Sequence, residues 1–219
     1  MAPSPELIKE RFLEAARYAL LRRLAPALRH DMAGVLQPIS MMAAILEKRL
    51  QKPQPDLAVL AKNSGAINTF ARDAGNACMS IMTWLAPRDD APVGVHVGVA
   101  EALSLVTTEL AFAGFNVVNE TTEVHAVVPL GILRGTFLAS VLSLTDAATA
   151  PAEVICSAQL TDEDVVLRIE ILASAGEKPV LSGKPAYRVL SWDDVQAIGQ
   201  SQGVALVYGA AAVELRFSQ

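Results

Sequence analysis

Apolar residues recur every three or four positions in the first third of the chain, and this period constrains the fold more than any other feature. The pattern is broken by "KPQPD" at 52–56 and then resumes until Leu85. A short break between two long helices predicts an antiparallel helical hairpin. The apolar positions are Leu21, Leu24, Leu28, Met32, Val35, Leu36, Ile39, Met42, Ala43, Leu46 and Leu50 before the break, and Leu57, Leu60, Ser64, Ile67, Ala71, Ala74, Cys78, Ile81 and Leu85 after it.

Each predicted helix carries an apolar stripe wider than one partner helix can cover. Two copies of the hairpin packed as a four-helix bundle would bury the remainder, so we predict a homodimer formed through residues 1–86. Residues 87–94, "PRDDAPVG", concentrate proline, charge and glycine and are predicted to be an interdomain linker.

The remaining residues, 95–219, alternate short β-rich runs with helical runs. The order helix, two strands, helix, two strands, helix, two strands predicts an α+β fold, an α/β sandwich with helices on one face of a mixed sheet. "LSGKPAYRVL" fits neither pattern. The predicted helices span about 97–113, 130–148 and 191–202, and the predicted strands are "FNVVNE", "EVHAVVP", "AEVICSAQL", "EDVVLRIEIL", "VALVYG" and "AVELRFS".

Charge and cysteine usage exclude several classes of partner. Eighteen basic and 23 acidic residues give a net charge of −5 without a basic stripe, so a nucleic-acid partner is not expected. No stretch approaches the roughly 20 uninterrupted apolar residues of a membrane span, and the N-terminus lacks a signal-peptide pattern, which predicts a cytoplasmic protein without a membrane partner. Cys78 and Cys156 follow no metal-ligand spacing and are predicted to be reduced core thiols.

The adjacent polar pair His30 and Asp31 lies inside the first apolar run. At about 100° per residue, His30 is roughly 200° from Leu28 and from Met32, so it is predicted to point away from the packed face. Near neutral pH, an imidazole offers a lone pair for attack on phosphorus. Asp31 could orient the ring, act as a general base or only add charge, since it lies about 100° further around the helix.

Other candidates for this chemistry are weaker. Arg29 and either Arg22 or Arg23 could offset phosphate charge, although solvated arginines are the commoner case. His96 and His125 are expected to be structural.

A helical hairpin with a His-acidic pair on its first helix, followed by an α+β domain of this order, resembles the core of sensor histidine kinases. The resemblance implies that the hairpin is a dimerisation and histidine-phosphotransfer domain and that residues 95–219 correspond to the ATP-binding domain. In "HDMAG" the histidine and its acidic neighbour are kept, but Gly34 stands where the family commonly has Thr or Asn, so the family's phosphatase activity is not implied.

The family's nucleotide motifs are missing from the second domain, which is therefore predicted to be degenerate. No asparagine follows Asn119, no Gly-x-Gly occurs in the chain, and "LASAGEK" at 172–178 replaces the family's Asp-x-Gly-x-Gly loop. Asp146 could stand in for a metal-binding asparagine, although a carboxylate near a helix end is more often a cap or a solvated charge. Without such groups, transfer from ATP lacks positioning and charge neutralisation.

An intact histidine beside an eroded ATP domain is similar to the dimeric histidine phosphotransferases. The similarity implies that His30, with Asp31, relays a phosphoryl group between response-regulator aspartates without ATP. No cofactor or metal is then expected in the chain, because the partner receiver domain supplies Mg²⁺. Two alternatives stay open: a divergent sensor histidine kinase that still binds ATP, and a non-catalytic dimeric scaffold that binds a response regulator.

Overall fold

The computed structural model describes residues 4–85, 91–161, 164–175, 185 and 187–218. Within these residues the chain has the predicted α+β class. The helices are α1 Pro5–Leu50, α2 Leu57–Leu85, α3 Val95–Phe112, α4 Leu130–Ile132, α5 Leu138–Ala147 and α6 Trp192–Ser201, with a π-helical turn, Leu133–Phe137, joining α4 to α5. The strands are β1 Pro92–Gly94, β2 Phe115–Asn119, β3 Val127–Pro129, β4 Ala152–Leu160, β5 Asp164–Ala173, β6 Ala205–Tyr208 and β7 Ala212–Ser218.

The chain divides into two compact units. The hairpin unit is Ala25–Pro87, and the α/β unit is Met1–Leu24 together with Arg88–Gln219. The first part of α1 therefore groups with the α/β unit, whereas the sequence places residues 1–86 in one domain; this part of α1 buries Leu20 and Leu24. The domain limits 1–86, 87–94 and 95–219 stay a prediction.

The hairpin unit has the spacing of an antiparallel coiled coil. One stripe of its buried and half-buried positions alternates steps of three and four, which is the a and d pattern of a heptad. Most of these side chains are only half-buried, although Leu28 and Ala74 are 7% and 4% exposed. The positions are Leu28, Met32, Val35, Ile39, Met42, Leu46 and Arg49 on α1, and Leu60, Asn63, Ile67, Phe70, Ala74, Ala77, Ile81 and Trp84 on α2.

The α/β unit is built on a five-stranded sheet with strand order β2-β4-β5-β7-β6. β2 and β4 run parallel and the other neighbours are antiparallel, so the sheet is mixed as predicted. Alternate residues of the central strands face the core, as the period of two requires. They are Ala152, Val154 and Cys156 of β4, Val165, Leu167 and Ile169 of β5, and Val213, Leu215 and Phe217 of β7.

A second, two-stranded sheet was not predicted. β1 pairs antiparallel with β3, with Val93 opposite Val128, so the last three residues of the predicted linker form a strand. The predicted strand "EVHAVVP" is reduced to Val127–Pro129. Half of "LSGKPAYRVL", residues 181–184 and 186, lies outside the described residues.

Two helical stretches, Val95–Phe112 and Leu130–Ala147, are long and apolar enough by composition to cross a membrane. In the α/β unit, 44% and 72% of these stretches, respectively, are buried. α5 packs against β5 and β7, and α3 packs against β2. Burial beneath the sheet accounts for the apolar composition of the second stretch, because a core helix needs the same residues.

Candidate functional site

His30 projects from the exposed side of α1 in the hairpin unit. Its side chain is 87% exposed, and it lies at the heptad position opposite the a and d stripe that includes Leu28 and Met32. The helical phase of the sequence predicted this exposure. A macromolecular partner can therefore reach the imidazole without a change in the hairpin.

Asp31 contacts the ring of His30. The His30 Nδ1 and Asp31 Oδ1 atoms are 3.4 Å apart, and the Asp31 side chain is 59% exposed. This distance is longer than the usual 2.7–3.2 Å of a nitrogen–oxygen hydrogen bond, so the contact is loose. In the tautomer that carries its proton on Nδ1, the ring donates to Asp31 and Nε2 keeps its lone pair.

The residues one helical turn from His30 are small. Pro26 and Ala27 precede it, and Ala33 and Gly34 follow it, at the spacings that share a helix face. A Cβ atom added to Gly34 would meet nothing within 4 Å. Packing does not require glycine there, and the helix surface beside the imidazole is open.

The arginines of α1 separate into two groups. Arg29 is exposed beside His30, whereas Arg22 and Arg23 belong to the α/β unit. The interpretation of Arg23 as a phosphate-neutralising or solvated residue is wrong. Arg23 is 3% exposed, and its guanidinium donates to both carboxylate oxygens of Asp146 at 2.6 and 3.1 Å and to Glu109 at 3.3 Å.

Asp146 is engaged by protein groups rather than solvated. One of its oxygens accepts from the Leu190 amide at 3.2 Å in addition to Arg23, and its side chain is 13% exposed. The carboxylate is therefore neither a helix cap nor a solvated charge, and Arg23 already neutralises it. Among the described residues there is no group of three or more His, Cys, Asp and Glu that could hold a metal ion. The end of "LASAGEK" lies outside those residues.

The other histidines and both cysteines do not contribute to the site around His30. His96 is half-buried, with Nδ1 3.4 Å from Thr121 Oγ1, and His125 is exposed in the loop before β3 rather than in a strand. Burial raises the pKa of the Cys156 thiol to about 12, so this residue is an inert core thiol as predicted. Cys78 is half-buried in the hairpin unit.

One polar cluster of the α/β unit was missed although the sequence signals it. Ser191 and Asp194 form a reciprocal capping box at the start of α6, the Ser-x-x-Asp pattern. Arg188 donates to both oxygens of Asp194 at 2.6 and 2.7 Å. Burial by itself raises the pKa of Asp194, but the hydrogen bonds from Arg188 and Ser191 outweigh it and hold that pKa below its ordinary value.

Comparison with known proteins gives matches in structure only. No protein-family model matches the chain, and no curated protein matches it in sequence. Over most of its length the chain is similar to the cores of sensor histidine kinases and to a bacterial phosphotransferase. The Acinetobacter baumannii histidine kinase AdeS matches with a TM-score of 0.46 and 12% identity, over 85% of this chain and 97% of that one.

Two further solved structures match over most of the chain. A histidine kinase from Burkholderia phymatum STM815 gives a TM-score of 0.45 and 12% identity, over 90% of this chain and 97% of that one. A bacterial phosphotransferase matches with a TM-score of 0.36 and 14% identity, over 90% of this chain and 94% of that one. TM-scores below 0.5 at these identities do not assign the chain to a family.

Proposed function

We propose that the chain is a homodimeric histidine phosphotransferase that relays a phosphoryl group between response-regulator receiver domains through His30. The observation that carries the proposal is the 87% exposed imidazole on the outer side of the hairpin, with Asp31 against one ring nitrogen. A buried or fully hydrogen-bonded histidine would not fit an incoming receiver.

The chemistry is two successive displacements at phosphorus. In the first, the His30 lone pair forms an N–P bond while the O–P bond of the receiver's aspartyl phosphate breaks, and the aspartate leaves as a carboxylate. In the second, a carboxylate of another receiver attacks the phosphohistidine and the imidazole leaves. Asp31 holds the proton of the non-attacking nitrogen, which keeps the ring in the reactive tautomer. Mg²⁺ belongs to the receiver in both steps.

The proposal includes the absence of ATP use. It is supported by the sequence, which lacks Gly-x-Gly and has no asparagine after Asn119, and by the contacts of Asp146. A carboxylate held by Arg23 at 2.6 and 3.1 Å offers no negative charge to a nucleotide-bound cation.

The proposal also includes a homodimer through the hairpin. One flank of the coiled-coil stripe carries large apolar side chains exposed in the single chain: Leu36 at 45%, Leu50 at 56% and Leu57 at 77%. A second hairpin would cover them and complete the burial of the a and d residues. The proposed location is the cytoplasm, without a membrane or nucleic-acid partner, and a net charge of −5 supports the last point.

The test is labelling of the purified chain by receiver domains of the source organism, each first phosphorylated with radiolabelled acetyl phosphate. We expect label on the chain that is acid-labile and alkali-stable, as phosphohistidine is. The His30→Ala variant should lose it. His125→Ala is the matched control, because His125 is also exposed but lies in the α/β unit, and it should label as the wild type does.

The outcomes separate the candidate functions. Absence of label from every receiver, or label that survives His30→Ala, would contradict the relay. Label from ATP and Mg²⁺ on His30 would favour a divergent kinase, and binding of a receiver without any label would favour a scaffold.

A further inference from the structure

Three side chains of the α/β unit form an exposed aromatic-arginine cluster: Tyr18 and Arg22 of α1, and Tyr187. The two rings meet edge to face, with centroids 6.1 Å apart and an interplanar angle of 84°. The Arg22 guanidinium carbon lies 6.0 Å from the centroid of Tyr18 and 5.3 Å from that of Tyr187, within cation–π range. The rings hold the guanidinium in one position without neutralising it.

Among the described residues, Arg22 is held against two aromatic rings and not by a carboxylate. Within the described part of the chain, Arg22 has no carboxylate within salt-bridge distance, although its neighbour Arg23 is paired. The arginines of the α/β unit that pair with Asp or Glu are Arg23, Arg134, Arg168, Arg188 and Arg216. Arg22 is therefore a cation that two rings position and that no carboxylate of the described residues compensates.

The composition of the cluster is that of a protein-binding hot spot. Tyrosine and arginine are enriched among the residues that dominate interface energies, and rings supply contact area at low entropic cost. Tyr18 is 53% exposed and Tyr187 is 39% exposed, so a partner could still bury much of both rings. A partner that covers Arg22 must also provide an acceptor, because a desolvated charge without one is costly. The matching acceptor is a carboxylate.

The net charge of the chain and the surface position of the aromatic-arginine cluster indicate which kind of partner binds there. A net charge of −5 opposes an extended polyanion such as nucleic acid or an anionic membrane, because its charges repeat well beyond Arg22, whereas a protein surface needs only one carboxylate at Arg22. A small anion would bind within an enclosed site, whereas these three side chains lie at the surface. An acidic protein surface combines a large contact area with a local carboxylate.

We propose that the aromatic-arginine cluster is a docking point for an acidic protein surface. The identity of the partner rests on the proposed function: the surface belongs to a receiver domain that exchanges phosphate with His30. The cluster adds affinity and salt-dependent specificity, and it does not take part in the transfer of the phosphoryl group.

The experiment measures binding of the full-length chain to an unphosphorylated receiver by titration calorimetry at low and moderate salt. Arg22→Glu and Tyr187→Ala are expected to weaken binding by roughly tenfold or more. The matched control is Arg11→Glu, the same charge change about three helical turns earlier on the exposed side of α1. It should bind as the wild type does.

A charge-swap variant removes the ambiguity of a folding defect. Replacing an acidic residue of the receiver by lysine should restore binding to Arg22→Glu while weakening binding to the wild type. A structural defect in Arg22→Glu would not be corrected by a change in the partner. Unchanged melting temperatures of the variants provide the second check.

Failure of the docking inference is distinguishable from failure of the relay. If a receiver labels His30 but binds Arg22→Glu as tightly as the wild type, the docking site is wrong and the relay stands. If Arg22→Glu and Tyr187→Ala weaken binding of a receiver that never labels His30, docking stands and the relay fails. Binding of a DNA duplex or of phosphatidylglycerol vesicles that depends on Arg22 would overturn the choice of partner.

Discussion

The two units of this chain differ in how completely they are packed. In the α/β unit, large core residues such as Leu142 and Leu167 are 0% exposed. In the hairpin unit, most heptad positions are half-buried, and Leu57 is 77% exposed. A single chain therefore completes one core and leaves the other unfinished, and the candidate reactive residue, His30, lies on the unfinished unit.

Each unit contains a buried polar side chain that is only partly hydrogen-bonded. In the α/β unit, Arg23 makes a two-bond ion pair with Asp146, but its buried Nε atom has no hydrogen-bond partner among the described residues. In the hairpin unit, Asn63 is 6% exposed, and among the described residues its amide nitrogen has no hydrogen-bond partner, while its oxygen accepts from Arg49 at 3.4 Å. Buried polar groups are normally satisfied, and in the proposed homodimer a second hairpin would supply a partner for Asn63.

The largest expected effect is in the α/β unit. Arg23→Met should lower the free energy of unfolding by about 3 kcal/mol, since it leaves Asp146 charged and without its partner. Urea denaturation measures the change. Arg17→Met is the control, because Arg17 is exposed and makes one hydrogen bond to Ser201; a loss as large as that of Arg23→Met would contradict the assignment of the ion pair.

Replacing Asp194 in the capping box of α6 should lower the free energy of unfolding by a smaller amount, and this amount depends on pH. Asp194→Asn should lower the free energy of unfolding by about 2 kcal/mol at pH 7. The folded pKa of Asp194 lies below its ordinary value, so its contribution is complete above the unfolded pKa of about 4 and is lost as the pH falls through the folded pKa. In thermal melts from pH 7 to pH 2, the difference in melting temperature between wild type and variant should become smaller as the pH falls. A constant difference would exclude the proposed dependence on the ionisation of Asp194.

The unfinished core of the hairpin predicts a dependence on protein concentration. If a second copy completes the hairpin core, the apparent free energy of unfolding should fall by about 1.4 kcal/mol for each tenfold dilution. Leu57→Glu should convert dimer to monomer in sedimentation experiments. Leu160→Glu, at a residue of the α/β unit that is 51% exposed, is the control and should leave the dimer intact. A wild-type protein that is monomeric at micromolar concentration would contradict the proposed homodimer.

The smallest expected effect concerns the helix beside His30. Gly34→Ala should stabilise the protein by up to about 1 kcal/mol, because alanine is a better helix former and the added methyl group contacts nothing within 4 Å. Thermal denaturation tests this. Destabilisation would mean that this helix surface is covered in the free protein.

The sequence predicted most of the regular elements because their periods are local. β4 at Ala152–Leu160 and β7 at Ala212–Ser218 have the predicted limits, and both alternate buried and exposed residues. The sequence predicts a linker at β1, since the proline and glycine of β1 resemble a turn and its partner Val128 lies 35 positions from Val93.

Long-range contacts of the candidate site residues could not be read from local pattern. The exposure of His30 follows from helical phase, and it was predicted. The pairing of Arg23 with Asp146 joins residues 123 positions apart, and nothing in α1 distinguishes Arg23 from Arg22 except helical phase. The contact between His30 and Asp31 depends on side-chain rotamers, which sequence spacing does not determine.

The central claim is that His30 passes on a phosphoryl group that it has received from another protein. The direct measurement is a two-step transfer: label the chain from one phosphorylated receiver, remove that receiver, and add a second receiver without ATP. We expect the label to leave the chain and appear on the second receiver, with no label at either step for His30→Ala. Label that never reaches the chain, or reaches the second receiver equally well through His30→Ala, would contradict the account.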